Sequence, residues 1–243
     1  MIKSGLRIPI LYEDNSCAVI NKPAGILSHG LNTTDKSPSI AKWWKNQPKV
    51  AKNGWITGRE GIVHRLDFDT SGAMVLAKTP DDLIELQKQF HDRKIYKNYL
   101  AAVCGQPQQK SGKITSKITR AGKNRTKRAS HLISFTDNKA REAVSLYRVI
   151  KSLKVDGNDI SLIEFNIKTG RTHQVRLHAK MLGTPILGDR DYSTKPCRKL
   201  SEKLKVIRQM LHAKELKFRS PAHNKLVDIK VSLPDDMKRI INE

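Results

Sequence analysis

Short apolar runs separated by turn-forming residues recur along this chain, and the spacing inside each run separates strand from helix. Residues 8–11 and 17–20 are apolar on either side of Glu13-Asp14-Asn15, which predicts two strands joined by a turn. The second strand stops at Asn21-Lys22-Pro23-Ala24-Gly25, where proline and glycine enforce another turn. Residues 31–56 are polar, with Pro38, Pro48 and a Trp43-Trp44 pair, and fit a short helix on a connection. The apolar run Ala73-Met74-Val75-Leu76-Ala77 follows a polar loop. Thr79-Pro80-Asp81-Asp82 then starts a helix: Thr79 caps it, Pro80 suits the first helical position, and two acids favour the positive end of the dipole. Leu83, Leu86 and Phe90 follow at helical spacing. Residues 95–103 read as a strand with Tyr99, Ala101 and Val103 on one face and Leu100 and Ala102 on the other.

Residues 106–131 break this rhythm. They hold few apolar residues and many Lys and Arg, and read as a basic loop whose densest cluster is Lys123-Asn124-Arg125-Thr126-Lys127-Arg128. Residues 143–150 and 160–167 predict a hairpin around Asp156-Gly157-Asn158. Beyond Lys168-Thr169-Gly170-Arg171, Thr172 is placed to cap a helix that runs to Leu182 and ends at Gly183. On that helix Val175, Ala179 and Leu182 share an apolar face, while His173, Arg176 and Lys180 line the opposite one, which would aim cations at a cleft. Turn residues follow at Gly183-Thr184-Pro185 and Gly188-Asp189, residues 195–208 are again basic, and residues 211–218 and 227–233 read as closing strands. Strands outnumber helices and no linker or repeat divides the chain, so the expectation is a single α+β domain around a largely antiparallel sheet.

Composition narrows the partner. The 243 residues are 38% hydrophobic, ample for a core, yet carry a formal net charge of +23. That excess points to a polyanion, since clustered Lys and Arg gain affinity by releasing counterions from phosphates. Cys17, Cys104 and Cys197 are odd in number and include no C-x-x-C pair, which favours a reducing compartment over disulfides or a cysteine zinc site. The N-terminus has no long apolar stretch and no run approaches membrane-spanning length. A cytoplasmic protein with no membrane partner is expected.

The densest chemistry lies in His64-Arg65-Leu66-Asp67-Phe68-Asp69-Thr70-Ser71-Gly72. A cation beside a carboxylate favours its ionised form. An ionised carboxylate in a cleft serves as nucleophile, base or stabiliser of a sugar cation. For Asp69-Thr70-Ser71-Gly72 the reading is a turn, with the hydroxyls satisfying backbone amides. For Asp67 the local pattern leaves turn-former and reactive group both open. Phosphate-loop, dinucleotide, H-E-x-x-H and G-x-S-x-G patterns are absent from the sequence, and His173 with His178 is spaced poorly for joint metal ligation.

Three blocks in order make the chain resemble the RluA-type pseudouridine synthases. The first runs from Ile10-Leu11-Tyr12-Glu13-Asp14 to Asn21-Lys22-Pro23-Ala24-Gly25, the second is the His64–Gly72 segment, and the third is Thr169-Gly170-Arg171-Thr172-His173-Gln174-Val175-Arg176 with Gly183-Thr184-Pro185-Ile186 and Gly188-Asp189. Lys97-Asn98-Tyr99-Leu100-Ala101 and Leu211-His212-Ala213 also fit, and the likeness covers residues 8–233. The resemblance implies that uridine in RNA is isomerised to pseudouridine, without cofactor or metal: the C1′–N1 bond breaks, uracil turns, and C5 joins C1′. Asp67 becomes the catalytic aspartate, which either attacks C1′ or removes the 2′ proton. Arg176 matches its partner cation. Tyr99 matches a tyrosine against the uracil that takes the C5 proton, although a phenol titrating near 10 needs help to act as a base. Arg65 fills the space of a flipped base. Lys22 and Arg171 position phosphates or loops, or make structural hydrogen bonds. His64 and His173 read as scaffold.

The first block begins near residue 8, so the separate N-terminal RNA-binding module of many relatives is not expected. RNA affinity then falls to the basic stretches 106–131 and 195–208, with Lys123, Arg125, Lys127 and Arg128 as the leading contacts. A monomer acting on ribosomal RNA or tRNA is the resulting expectation. The competing reading is a non-catalytic RNA-binding or ribosome-assembly factor on the same fold, which retention of Asp67, Tyr99 and Arg176 argues against.

Overall fold

The computed structural model describes residues 7–30, 35, 37–52, 55, 59–121, 124–131 and 138–242; the side chains of 121 and 124–127 lie outside that description. In chain order the elements are β1 (Ile10–Glu13), β2 (Cys17–Lys22), α1 (Ile40–Lys45), β3 (Ser71–Ala77), α2 (Pro80–His91) and β4 (Tyr96–Cys104). Then come β5 (Ser111–Ala121), β6 (Asn124–His131), β7 (Arg141–Val155), β8 (Asn158–Ile167), α3 (Gln174–Met181) and α4 (Lys195–Lys203). The last three are β9 (Leu211–Arg219), β10 (Leu226–Lys230) and α5 (Asp235–Ile241). The result is α+β, with strand pairing largely antiparallel. Two compact units are formed, Met1–Tyr96 with Ala213–Ser232 and Lys97–His212 with Leu233–Glu243.

In the first unit the strand order is β1-β2-β3-β9, with β10 on β9. Strands β2 and β3 are near-continuous apolar runs because both their faces are buried. One face packs Cys17, Val19, Val75 and Ala77 with Leu86 of α2 and Leu216, Phe218 and Val227 of β9 and β10. Helix α2 forms as its local signals predict: Thr79 Oγ1 accepts the Asp82 amide at 3.2 Å, and Leu83 and Phe90 lie against the core. Helix α1 is capped by Ser39, and Trp44 Nε1 donates to the Ala77 carbonyl at 2.6 Å.

In the second unit the order is β4-β8-β7-β5-β6. The β7–β8 connection is the two-residue turn Asp156-Gly157, since Val155 pairs with Asn158. Both turn residues have positive φ, +48° and +78°, as a type I′ hairpin turn requires.

Several expectations are corrected. The basic segment at 106–131 is not a loop but largely two strands, β5 and β6. Its inward positions on β5 are Ile114, Ser116 and Ile118, so a buried serine hides the period-two pattern, and pairing with the distant β7 holds it. Strand β1 begins two residues late, and β7 extends to Val155. Thr172 is not the cap of α3: His173 occupies that position, at φ +59°, with no side-chain capping bond. The basic stretch at 195–208 contains a helix, α4, and the C-terminal helix α5 was not anticipated.

Candidate active site

The His64–Gly72 segment is held from beneath by the turn after β2. The Lys22 side chain is fully buried, and its ammonium donates to the carbonyls of Pro23, Phe68 and Thr70 at 2.9, 3.1 and 2.9 Å. The Gly25 amide donates to Phe68 O at 2.9 Å. Ser28 Oγ donates to Leu66 O and accepts the Leu66 amide, at 2.7 and 3.1 Å. The turn itself spans 67–70, closed by the Thr70 amide on Asp67 O at 3.1 Å; Ser71 and Gly72 already belong to β3. Gly72 has φ +117°, and a Cβ there would stand 2.3 Å from Ala213 O, so glycine is required by the close approach of β9. His64 Nε2 accepts the Val75 amide at 3.1 Å, which makes that ring nitrogen an acceptor, and the ring stacks on Phe90. With the backbone so anchored, Arg65 and Phe68 are exposed and Asp67 is half-buried.

The second unit presents Tyr99 and Arg176. Strand register places Tyr99 opposite Phe165 and Phe165 opposite Tyr147, so the three rings share one face. Ser145, two residues before Tyr147 on β7, lies on that same face and meets α3. Helix α3 does not divide into an apolar and a cationic side as its sequence pattern implies; residues Gln174 through Ala179 are all buried. Polar groups seat it. Gln174 Nε2 donates to Val144 O and Ser145 Oγ, both at 3.0 Å, and its Oε1 accepts from Thr169 Oγ1 and the Arg171 amide. The His178 ring lies between Ser116 Oγ at 3.0 Å and Ser145 Oγ at 2.8 Å, and burial depresses its pKa to about 4.

Arg176 is therefore a buried cation, with a side-chain exposure of 7%. Its Nε and Nη2 donate to the two oxygens of Asp189 at 2.7 Å each, and Nη2 also reaches Asp191 at 2.8 Å. Burial alone would raise the Asp189 pKa, but the Arg176 guanidinium and the amides of Asp191 and Tyr192 hold it below the ordinary value. The guanidinium carbon lies 4.8 Å from the centre of the Tyr192 ring. The Tyr192 hydroxyl accepts the Arg128 amide at 2.9 Å and bonds His173 Nδ1 at 2.7 Å. The 189–192 turn thus orients Arg176, the start of α3 and β6 together.

The remaining expected contacts separate by burial. Lys22 is fully buried, and its bonds run to the carbonyls of Pro23, Phe68 and Thr70, structural hydrogen bonds that hold the loop and leave its ammonium away from any RNA phosphate. Arg171 is exposed, with Nε on Glu142 O at 3.0 Å. Arg128 lies on β6. Arg125 and Lys127 are also on β6, but their side chains, and the whole of Lys123, lie outside the described residues. Ser28, Asp189, Asp191 and Tyr192 were missed as positioning groups. Asp189 stood beside Gly188 as a turn residue, but nothing local announces that its carboxylate takes a guanidinium thirteen positions back. Among the described residues no group of three or more His, Cys, Asp or Glu is placed to hold a metal ion.

Comparison with known proteins adds the family. The family model for RNA pseudouridylate synthase matches residues 16–181. Ribosomal large subunit pseudouridine synthase D of Zymomonas mobilis is 38% identical over 234 residues, 95% of this chain and 71% of that protein. Ribosomal large subunit pseudouridine synthase C of Rickettsia bellii is 32% identical, over 95% and 70% of the two chains. Among solved structures, human RNA Pseudouridylate Synthase Domain Containing 1 superposes with a TM-score of 0.73 at 24% identity, covering 93% of this chain and 83% of the other. Domain Containing 4 of the same human series gives 0.69 at 26%, covering 96% and 92%. The sequence blocks, the fold and these matches agree, and the chain belongs to the RNA pseudouridylate synthase family, isomerases that act on RNA.

Proposed function

We propose that this chain converts uridine to pseudouridine in ribosomal RNA of the large subunit, with Asp67 as the catalytic carboxylate. One observation carries the assignment: the backbone around Asp67 is anchored at Leu66, Phe68 and Thr70 by Lys22, Gly25 and Ser28, while Asp67 and Arg65 keep access to solvent. A reactive group needs that combination of a fixed base and an open face. Asp67 acts on the ribose, at C1′ or at the 2′ proton. Arg176, its orientation set by Asp189 and Asp191, is the partner cation that the family resemblance implies. Tyr99, supported by Phe165, lies against the uracil, and Arg65 occupies the space of the flipped nucleotide.

Uridine and pseudouridine contain the same atoms, and the exchange of the C1′–N1 bond for a C1′–C5 bond moves a proton from C5 to N1 without net redox change. The reading accordingly includes no cofactor. It also has the chain act as a monomer in the cytoplasm, a compartment that suits three reduced cysteines. The names of the relatives favour ribosomal RNA over tRNA.

The test replaces Asp67 by Asn and maps pseudouridine across total RNA from cells carrying either form. The expected result is loss of one or a few sites in large-subunit RNA, with RNA binding by the purified Asp67→Asn protein within about threefold of the parent. Loss confined to tRNA would reassign the substrate. Unchanged maps would leave a binding factor without chemistry.

A further inference from the structure

Helix α4 is amphipathic in an unusual sense: its outward face is a stripe of cations. At 100° per residue, Lys195, Arg198, Lys199, Glu202 and Lys203 fall within roughly 140° of the helix circumference. All five are exposed, while Cys197, Leu200 and Ser201 on the opposite side are buried. The stripe is about 12 Å long. Lys205 extends it past the helix end, and Arg190 joins that end through a 3.0 Å bond from its Nη2 to Ile207 O. Opposing charge is slight. Glu202 sits within the stripe, and Asp156 approaches Lys203 at 3.5 Å with both groups more than half exposed, a pair of little strength.

Taking the RNA substrate as read above, we propose that the outer face of α4 is a docking surface for the RNA backbone, separate from the groups that handle the target nucleotide. Charge complementarity selects this occupant. A helix that inserts in a membrane surface turns its apolar side outward, whereas the apolar side of α4 faces the core and its exposed residues are five charged side chains and Pro196. Lys and Arg at fixed spacing on a rigid, Thr194-capped helix suit a run of phosphates, which such contacts position without reading sequence. Helix α4 follows directly on the 189–192 turn that orients Arg176, so RNA held on the stripe is held next to that turn along the chain.

The experiment measures binding of the full chain to a fluorescein-labelled RNA hairpin of about 20 base pairs across a salt series. Two quadruple variants are compared. One neutralises the stripe (Lys195→Gln, Arg198→Gln, Lys199→Gln, Lys203→Gln). The other removes the same charge from exposed positions elsewhere (Lys88→Gln, Lys94→Gln, Lys225→Gln, Lys230→Gln). The stripe variant is expected to bind at least about tenfold more weakly at 0.1 M salt, with its log–log salt slope reduced by about three. The control should keep a slope within about one of the parent. Matching circular dichroism and melting curves exclude misfolding, and Lys→Arg changes at 195, 199 and 203 should restore binding if a variant melts early. Equal losses in both variants, or an unchanged slope in the stripe variant, overturn the docking surface. Failure of the parent itself to bind RNA with a steep salt slope would instead overturn the RNA reading on which it rests.

Discussion

Lys22 shows how one side chain sets a loop. Its buried ammonium converges on three carbonyls, two of them in the 67–70 turn. Lys22→Met keeps most of the volume but leaves those acceptors without their donor. The expected cost is about 3 kcal/mol of stability, read from urea unfolding, together with loss of pseudouridine formation at temperatures where the protein stays folded. His178 makes a separate prediction. Folded, it titrates at about 4 because it is buried; unfolded, at about 6.5. Between those values the unfolded chain binds more protons, so stability is full above pH 6.5 and falls as pH drops toward 4, by on the order of 3 kcal/mol. Melting temperatures of His178→Gln should be lower overall but fall less than those of the parent across that window, since burial depresses the His29 pKa as well. Asp14 acts lower on the pH scale. Burial opposes its ionisation, yet bonds from Ser220, Tyr12 and the amides of Cys17 and Ser16 outweigh that and hold it at about 2, so its contribution is lost only as pH falls below the ordinary carboxylate range. None of these three side chains differs in sequence from an ordinary Lys, His or Asp; burial and partners give each its character.

At the scale of elements, legibility followed the locality of the signal. Helix α2 could be read because cap, proline, acids and apolar spacing all lie within twelve residues, and the β7–β8 hairpin because Asp156-Gly157 suits the turn it makes. Helix α5 carries a comparable local signal, Pro234-Asp235-Asp236 before Met237, Ile240 and Ile241. Strand β5 is different: besides β6 it pairs with the distant β7, and Ser116 faces inward to meet His178, so alternation alone could not reveal it. Helix α3 likewise follows a polar network to Thr169, Ser145 and Ser116 in addition to its apolar contacts, among them Leu177 with Ile118, Ala143 and Tyr192. Gly72 marks where element packing dictates a residue. Gly72→Ala combines an unfavourable φ with a Cβ 2.3 Å from Ala213 O, and more than about 3 kcal/mol of destabilisation is expected in thermal or urea unfolding.

Across the whole molecule the net charge of +23 is the property that reaches farthest. It predicts RNA binding with steep salt dependence, and neutralising Lys123, Arg125, Lys127 and Arg128 together should weaken binding and lower the log–log salt slope by about three; an unchanged slope would remove this segment from the RNA contact surface. The sequence by itself determined the α+β class and the polyanionic partner, which are written in local pattern and composition, and the family, whose resemblance names the candidates Asp67, Tyr99 and Arg176. Tertiary structure decided what each residue has around it: that Lys22 faces carbonyls in place of phosphate, that Arg176 lies buried between Asp189 and Asp191, that the basic segment after β4 forms strands, and that the charges of α4 collect on one side. Those outcomes depend on burial and on partners distant in the chain, and neither quantity exists until the chain has folded.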